Sequence, residues 1–281
     1  MDKKLIDCKM IDDFSRHLRE QERADRTSRK YLRDVKAFAE WAAGRPVTKE
    51  LVIGWKDSLT CSGRTPATVN SMLAALHHFF AFAGWEDCRV KYLRVQRQLF
   101  RQPDRELTRE EFDRLVETAR RAGKERLVLL METICATGIR VSETKYITVE
   151  AAEKGRAEIA LKGKIRTILL PSRLCRKLIK YAKKQKNVSG GIFRTRNGGI
   201  IGRKQIWAEM KTLCEAAGVA PSKVFPHNLR HLFARTFYKQ HKDIVRLADV
   251  LGHSSVDTTR IYTLASGIEQ LGQLARMRLL I

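Results

Sequence analysis

The sequence predicts a mainly α protein of two domains, with one small antiparallel β-sheet in the second. Three observations lead there. Apolar residues recur at helical spacing through residues 1–98. A basic stretch with few acids follows, and a fresh helix-start signal appears just after it, at Thr108 and Glu111. Strict alternation of apolar and other residues occurs in one place only, residues 157–171.

In the first domain, Phe14, Leu18, Tyr31, Val35, Phe38 and Trp41 follow a helical period, with Thr27 or Ser28 as the expected N-cap. Arg29, Lys30, Arg33 and Lys36 are interleaved with the later members, either as a solvated face or as phosphate contacts. Gly44-Arg45-Pro46 ends this part, and Thr48-Lys49-Glu50 opens a short helix around Trp55. After a loop at Ser62–Pro66, the series Val69, Met72, Leu73, Leu76, Phe79, Phe80 and Phe82 makes a long apolar helix ending near Gly84. These aromatics are expected to be helix core rather than a stacking platform for bases.

Residues 89–105, with their charges and proline, read as the joint between domains. The domain limits are set at 1–98, a basic linker at 99–106, and 107–281. The second domain opens with the Thr108/Glu111 capping box. A buried Leu- and Met-rich helix spans Arg126–Cys135 and stops at Thr137-Gly138, where glycine suits the left-handed end of a helix. Val141-Ser142-Glu143 starts the next helix. Ile159 and Leu161 alternate, Lys162-Gly163-Lys164 makes a turn, and Ile165, Thr167 and Leu169 alternate again: a β-hairpin. A basic glycine-rich loop covers 190–202, and helices are expected at Arg203–Ala217, Pro226–Gln240 and Asp243–Leu251.

Composition limits the partners. Lys and Arg number 55 against 31 Asp and Glu, a formal net charge of +24 in 281 residues. A chain so charged repels itself and calls for a polyanion. Nucleic acid fits better than a membrane, because no long apolar run and no concentrated basic amphipathic helix is present. The start lacks the apolar core of a signal peptide, so a cytoplasmic location is expected. Cys8, Cys61, Cys88, Cys135, Cys175 and Cys214 form no C-x-x-C pair and have no histidine at zinc spacing. They are expected to be free thiols, with no metal.

The most informative stretch runs from Pro226 to Thr263. His227 and Arg230 lie three apart on one helix, so both can face a single small object. A phosphate is the natural candidate, since a guanidinium fork holds two of its oxygens. A Leu-Gly-His turn at His253 follows, and of the six tyrosines only Tyr262 lies nine residues beyond it.

The run HNLRH, then LGH, then Tyr262, preceded by Ala136-Thr137-Gly138-Ile139-Arg140-Val141-Ser142-Glu143, resembles the tyrosine recombinase (phage integrase) family. The motifs cover roughly the C-terminal two-thirds. The N-terminal third is similar, more loosely, to the family's helical core-binding domain. The resemblance implies two domains closing as a C-shaped clamp on duplex DNA. It implies site-specific cleavage and rejoining through a 3′-phosphotyrosyl link and a Holliday junction, without cofactor. Tyr262 matches the nucleophile, and Arg140 and Arg230 the two arginines that grip the non-bridging oxygens. His227 matches the histidine that bonds the phosphate and takes the tyrosine proton. His253 matches the second histidine or tryptophan position, and Glu143 the acidic partner near the first arginine. His231 is expected to be structural. For the general acid, Lys162 on the hairpin turn matches best and Lys164 is the alternative. The resemblance also implies a homo-tetramer on DNA tied by an exchanged C-terminal helix (267–281), and it allows for an accessory directionality factor. Two rivals stand beside it: a catalytically silent DNA-binding regulator of the same fold, and a type IB topoisomerase-like relaxing enzyme. The regulator would have no use for a nucleophile.

Overall fold

In the computed structural model, residues 4–95, 103–161, 164–264 and 267–277 are described. The chain divides into two units, Met1–Arg97 and Gln98–Ile281.

Among its described residues the first unit has four α-helices: α1 (Cys8–Glu20), α2 (Asp25–Ala42), α3 (Lys49–Cys61) and α4 (Pro66–Ala83). The expected cap at Thr27 or Ser28 is not used. A turn after Glu20 separates α1 from α2, which begins at Asp25 with Ala24 as its cap. Thr48 and Thr65 do cap α3 and α4 with their side chains. The aromatics are core: Phe14, Phe38, Phe79 and Phe80 are fully buried, with Phe14 edge-on to Phe79 at 5.2 Å. Asp34 is buried beneath Lys30 and Arg33, accepting from both at 2.6–3.0 Å, and Lys30 also donates to the Ser71 carbonyl on α4. A buried carboxylate persists because both cations satisfy it.

The second unit continues with α5 (Arg109–Arg121), α6 (Glu125–Thr137), α7 (Val149–Lys154), the hairpin β1 (Arg156–Leu161) and β2 (Lys164–Leu169), α8 (Ser172–Lys184), α9 (Arg203–Lys211), α10 (Pro226–His241), α11 (Ile244–Leu251) and α12 (Gly267–Arg276). The Thr108/Glu111 capping box forms, and Gly138 ends α6 at φ +65°. Leu127, Leu130, Met131 and Ile134 of α6 pack at the centre, against Leu229 of α10 and Leu174 and Leu178 of α8. α7 and α8 were not anticipated, although Leu174, Cys175, Leu178 and Ala182 lie at helical spacing and bury one face of α8. The segment after Arg140 forms a tighter 3-10 turn, Val141–Tyr146, rather than an α-helix.

β1 and β2 pair antiparallel with Ile159 opposite Arg166. The strands match expectation, but the side of β2 that faces in is the one carrying Arg166, Ile168 and Leu170, not the Ile165, Thr167, Leu169 series. Ile165 and Leu169 point out, each 76% exposed, while Arg166, Ile168 and Leu170 turn inward. Side chains alternate strictly along a strand, so the phase that buries Ile168 and Leu170 also turns Arg166 inward and sends Ile165, Thr167 and Leu169 to solvent. Among the described residues no helix is long and apolar enough to cross a membrane.

Candidate active site

The site gathers on α10, the loop after α6, β2, and the turns after α11. Pro226 occupies the first turn of α10, where its missing N–H needs no partner. Arg230, one turn on, is 1% exposed and among the largest fully buried side chains. It donates to the Gly138 carbonyl (2.6 Å), to the Leu251 carbonyl (2.9 Å) and to His253 Nε2 (2.9 Å). Two helix ends left carbonyls without intrahelical partners, and the guanidinium takes one from each. Burial and the charge of Arg140 lower its pKa to about 10, so it stays a cation at neutral pH.

A guanidinium only donates, which fixes the tautomer of His253. Nε2 accepts from Arg230, so the ring proton sits on Nδ1, which donates to Thr259 Oγ1 at 2.8 Å. Thr259 is wholly buried, and its carbonyl accepts the Tyr262 N–H at 3.0 Å. Arg230, His253, Thr259 and Tyr262 are thus linked in one hydrogen-bonded series. Burial and the charges of Arg230, Arg140 and Arg166 push His253 down to about 4.

Tyr262 is 6% exposed. Its ring lies parallel to His253 at 6.4 Å and edge-on to His231 at 5.1 Å. Burial pushes the phenol above its ordinary value of 10, while Arg230, by charge and hydrogen bonding, and Arg140 pull the other way. His227 presents its outer edge to solvent at the start of α10 and stacks edge-on to His231 at 4.4 Å. Desolvation of its inner side and the charges of Arg230 and Arg140 push it below 6.5.

Arg140 is the outward member of the arginine pair, with its side chain 41% exposed. Glu143, 1% exposed, accepts from Arg140 Nη1 (2.9 Å), from the Arg140 backbone N–H (2.8 Å) and from Arg166 Nη2 (2.7 Å). Arg140 Nη2 also donates to the Gly252 carbonyl at 3.4 Å. His227, Arg230, His253 and Tyr262 all feel the charge of Arg140.

Five of the expected residues, Arg140, His227, Arg230, His253 and Tyr262, therefore meet in one place, with Glu143 behind Arg140. Lys162 lies outside the described residues. Lys164 opens β2, paired with Leu161. Three participants were not singled out as part of the site. Arg166 was hidden by the apolar alternation around it, and Thr259 carries no signal of its own in the sequence. His231 was expected to be structural, yet it touches both His227 and Tyr262, and its Nε2 is buried without a hydrogen-bond partner. Burial, then the charges of His227, Arg235 and Arg230, lower its pKa to about 3.

Comparison with known proteins follows the same lines. The model of the phage integrase family matches residues 105–267, and that of the phage integrase N-terminal SAM-like domain matches residues 11–87. The chain belongs to the phage integrase family, the tyrosine recombinases. Tyrosine recombinase XerC of Erythrobacter litoralis is 30% identical over 251 residues, covering 83% of this chain and 79% of its own. Tyrosine recombinase XerA of Thermococcus kodakarensis is 28% identical over 264 residues, covering 90% of each chain. A lambda integrase tetramer bound to a Holliday junction shares the fold at TM-score 0.72 and 18% identity, over 90% of this chain and 76% of that one. The recombinase thus carries its family's motifs on its family's fold, and the DNA-binding regulator is not favoured.

Proposed function

We propose that this recombinase cuts and rejoins a specific duplex DNA site one strand at a time, with Tyr262 as nucleophile. The phenol oxygen attacks the scissile phosphorus and forms the Tyr262 O–P bond. The P–O5′ bond breaks, and the 5′ oxygen takes a proton from the hairpin lysine, Lys162, with Lys164 as the alternative. The phosphotyrosyl link conserves the bond energy, and a 5′ hydroxyl from a partner strand reverses the step by way of a Holliday junction.

One observation carries this reading: Tyr262 lies in the same subunit and the same buried cluster as Arg230 and His253. Arg140, exposed on one side, is suited to meet the non-bridging oxygens first, with Arg230 adding fixed positive charge behind it. His227, neutral and open to solvent, is suited to take the phenolic proton. His253 keeps Arg230 oriented in the DNA-free form, since its Nε2 lone pair is already engaged.

The net charge of +24 supports a duplex partner gripped through its phosphates. The first unit is assigned as the core-binding domain, 99–106 as linker, and the two as a clamp on DNA. A tetramer is the assigned active form, supported by the tetrameric lambda integrase relative. α12 is assigned to exchange between its subunits. Leu271 and Met277 are 68% and 57% exposed, apolar surface that a neighbouring copy would cover. An accessory directionality factor and a cytoplasmic location belong to the same proposal.

The test is adduct capture. The full chain is mixed with a library of random-sequence duplexes, each carrying one nick. Covalent complexes are recovered under denaturing conditions, and both the DNA and the modified peptide are sequenced. The expected result is one recovered duplex family with its 3′ phosphate on Tyr262. Tyr262→Phe should bind that duplex as wild type does and give no adduct. Adduct formation by the Tyr262→Phe protein, or attachment to another residue, would refute the assignment.

A further inference from the structure

We propose that Arg166 is a positioning residue of the strand-cleaving site, one that keeps the charge of Arg140 available to the scissile phosphate by sharing Glu143 with it. This rests on the function proposed above.

The argument begins with the phase of β2. A strand with Ile165 and Leu169 available to bury instead exposes both and turns Arg166 inward. The same phase buries Ile168 and Leu170, so an isoleucine and a leucine go under in either phase, and the polar contacts of Arg166 distinguish the two. The inward guanidinium finds two partners. Nη2 donates to Glu143 Oε2 at 2.7 Å, and Nη1 donates to the Val250 carbonyl at 3.3 Å. Its stem lies against Gly252, where φ is +64° and any Cβ would overlap the Arg166 side chain. Only glycine permits both that backbone conformation and that approach.

Charge explains what the contact does. Glu143 is a single buried carboxylate between two guanidiniums: Oε1 takes Arg140 Nη1, and Oε2 takes Arg166 Nη2 and the Arg140 backbone N–H. Two cations and one anion leave one net positive charge. Arg140 carries it outward, because its side chain is 41% exposed against 17% for Arg166. Were Arg166 neutral, Glu143 would cancel Arg140 completely. The phosphate would then meet a neutral ion pair with a buried anion behind it. Arg166 also holds the turn around Gly252, whose carbonyl accepts from Arg140 Nη2. A single side chain therefore supports Arg140 through both of its polar contacts. Burial lowers the pKa of Arg166 and Glu143 opposes it; an arginine is a cation at neutral pH.

The experiment uses the duplex recovered by adduct capture, in two versions. One has the natural scissile phosphate. The other has a methylphosphonate there, which bears no charge on its non-bridging atoms. Single-turnover adduct formation is followed at saturating enzyme for wild type, Arg166→Met and Arg166→Lys. Removing a donor that touches the oxyanion commonly costs ~10²-fold or more. A residue acting through Arg140 is expected to cost about tenfold on the phosphate. Arg166→Met should show that loss with its DNA affinity unchanged, and a loss under about threefold on the methylphosphonate. Arg166→Lys, which keeps the charge, should stay within about threefold of wild type on both.

The proposal is overturned if Arg166→Met cleaves the phosphate as fast as wild type. It is equally overturned if the loss is the same on both probes, or if folded Arg166→Lys is as poor as Arg166→Met. Should Arg166→Met fail to fold, Arg166→Lys decides alone: a tenfold loss in that folded variant sinks the charge account. Failure of wild type to form any adduct would instead refute the underlying function.

Discussion

His231 offers the sharpest physical test, because its state is set by burial and read by acid. The folded chain holds its pKa at about 3, against an ordinary value of 6.5. The sign follows directly. Between those values the unfolded chain binds a proton that the folded chain refuses, so stability is complete above about pH 6.5 and falls as pH drops through the window. Each pH unit is worth about 1.4 kcal/mol per proton. At pH 5 the loss from this one group is at most about 2 kcal/mol, and residual solvent contact brings it to about 1–2 kcal/mol. The perturbation is His231→Phe, which keeps a flat ring of similar size. It removes both the titration and the unpartnered buried Nε2, whose burial costs ~1–3 kcal/mol. The assay is hydrogen exchange, read by mass spectrometry on α10 peptides of both proteins at pH 7.5 and pH 5.0. His231→Phe should be the more stable at pH 7.5, and its advantage should widen by about 1–2 kcal/mol at pH 5.0. Taking the difference between the proteins cancels every other titrating group and the intrinsic exchange rates. Parallel pH profiles would refute the picture of a buried neutral imidazole.

Gly138→Ala should be damaging in two ways. At φ +65° a Cβ costs about 1 kcal/mol, and here it would also overlap the Phe233 ring, for a further ~1–3 kcal/mol. Because the Gly138 carbonyl accepts from Arg230, the single-turnover cleavage rate should drop along with the melting temperature; a lower melting temperature with a wild-type rate would show the clamp to be independent of that carbonyl. The thiols should divide by exposure. Iodoacetamide at pH 7.5 should modify Cys8 and Cys61 first, because both are exposed. Cys135, half-buried and with its thiol pushed up to about 12 by burial, should react well after those two, and labelling of it as early as Cys8 in peptide mapping would contradict its environment.

Much of the fold was legible because helices announce themselves locally. Capping residues such as Thr48, Thr65 and Thr108, and stops such as Gly84 and Gly138, lie within a turn of the boundaries they set. The meeting of Arg140, His227, Arg230, His253 and Tyr262 was legible only through the resemblance, since Arg140 and Arg230 are ninety residues apart in the chain. The phase of β2 was not legible. Alternation gives a period but not which side faces the core, and Ile165 with Leu169 on one side matches Ile168 with Leu170 on the other. Glu143, the inward partner of Arg166, lies more than twenty residues upstream, where no window along β2 includes it. The place of His231 beside Tyr262 was hidden for a related reason. Its contacts with Tyr262 exist only once the turns after α11 fold back onto α10.

The two arginines look equivalent in the sequence, and the geometry separates them. Arg230 is 1% exposed and already committed to two carbonyls and a histidine; Arg140 is 41% exposed and held from behind by Glu143. A side chain tied to the ends of α6 and α11 is a junction of the fold as well as a charge. In the proposed reaction, Arg230 therefore acts without moving, as preorganised positive potential beneath the phosphate. Arg140 is the one free to close on the oxygens. On the proposal made above, its charge depends on how Glu143 is shared, which gives an inward arginine on a two-stranded hairpin a positioning role.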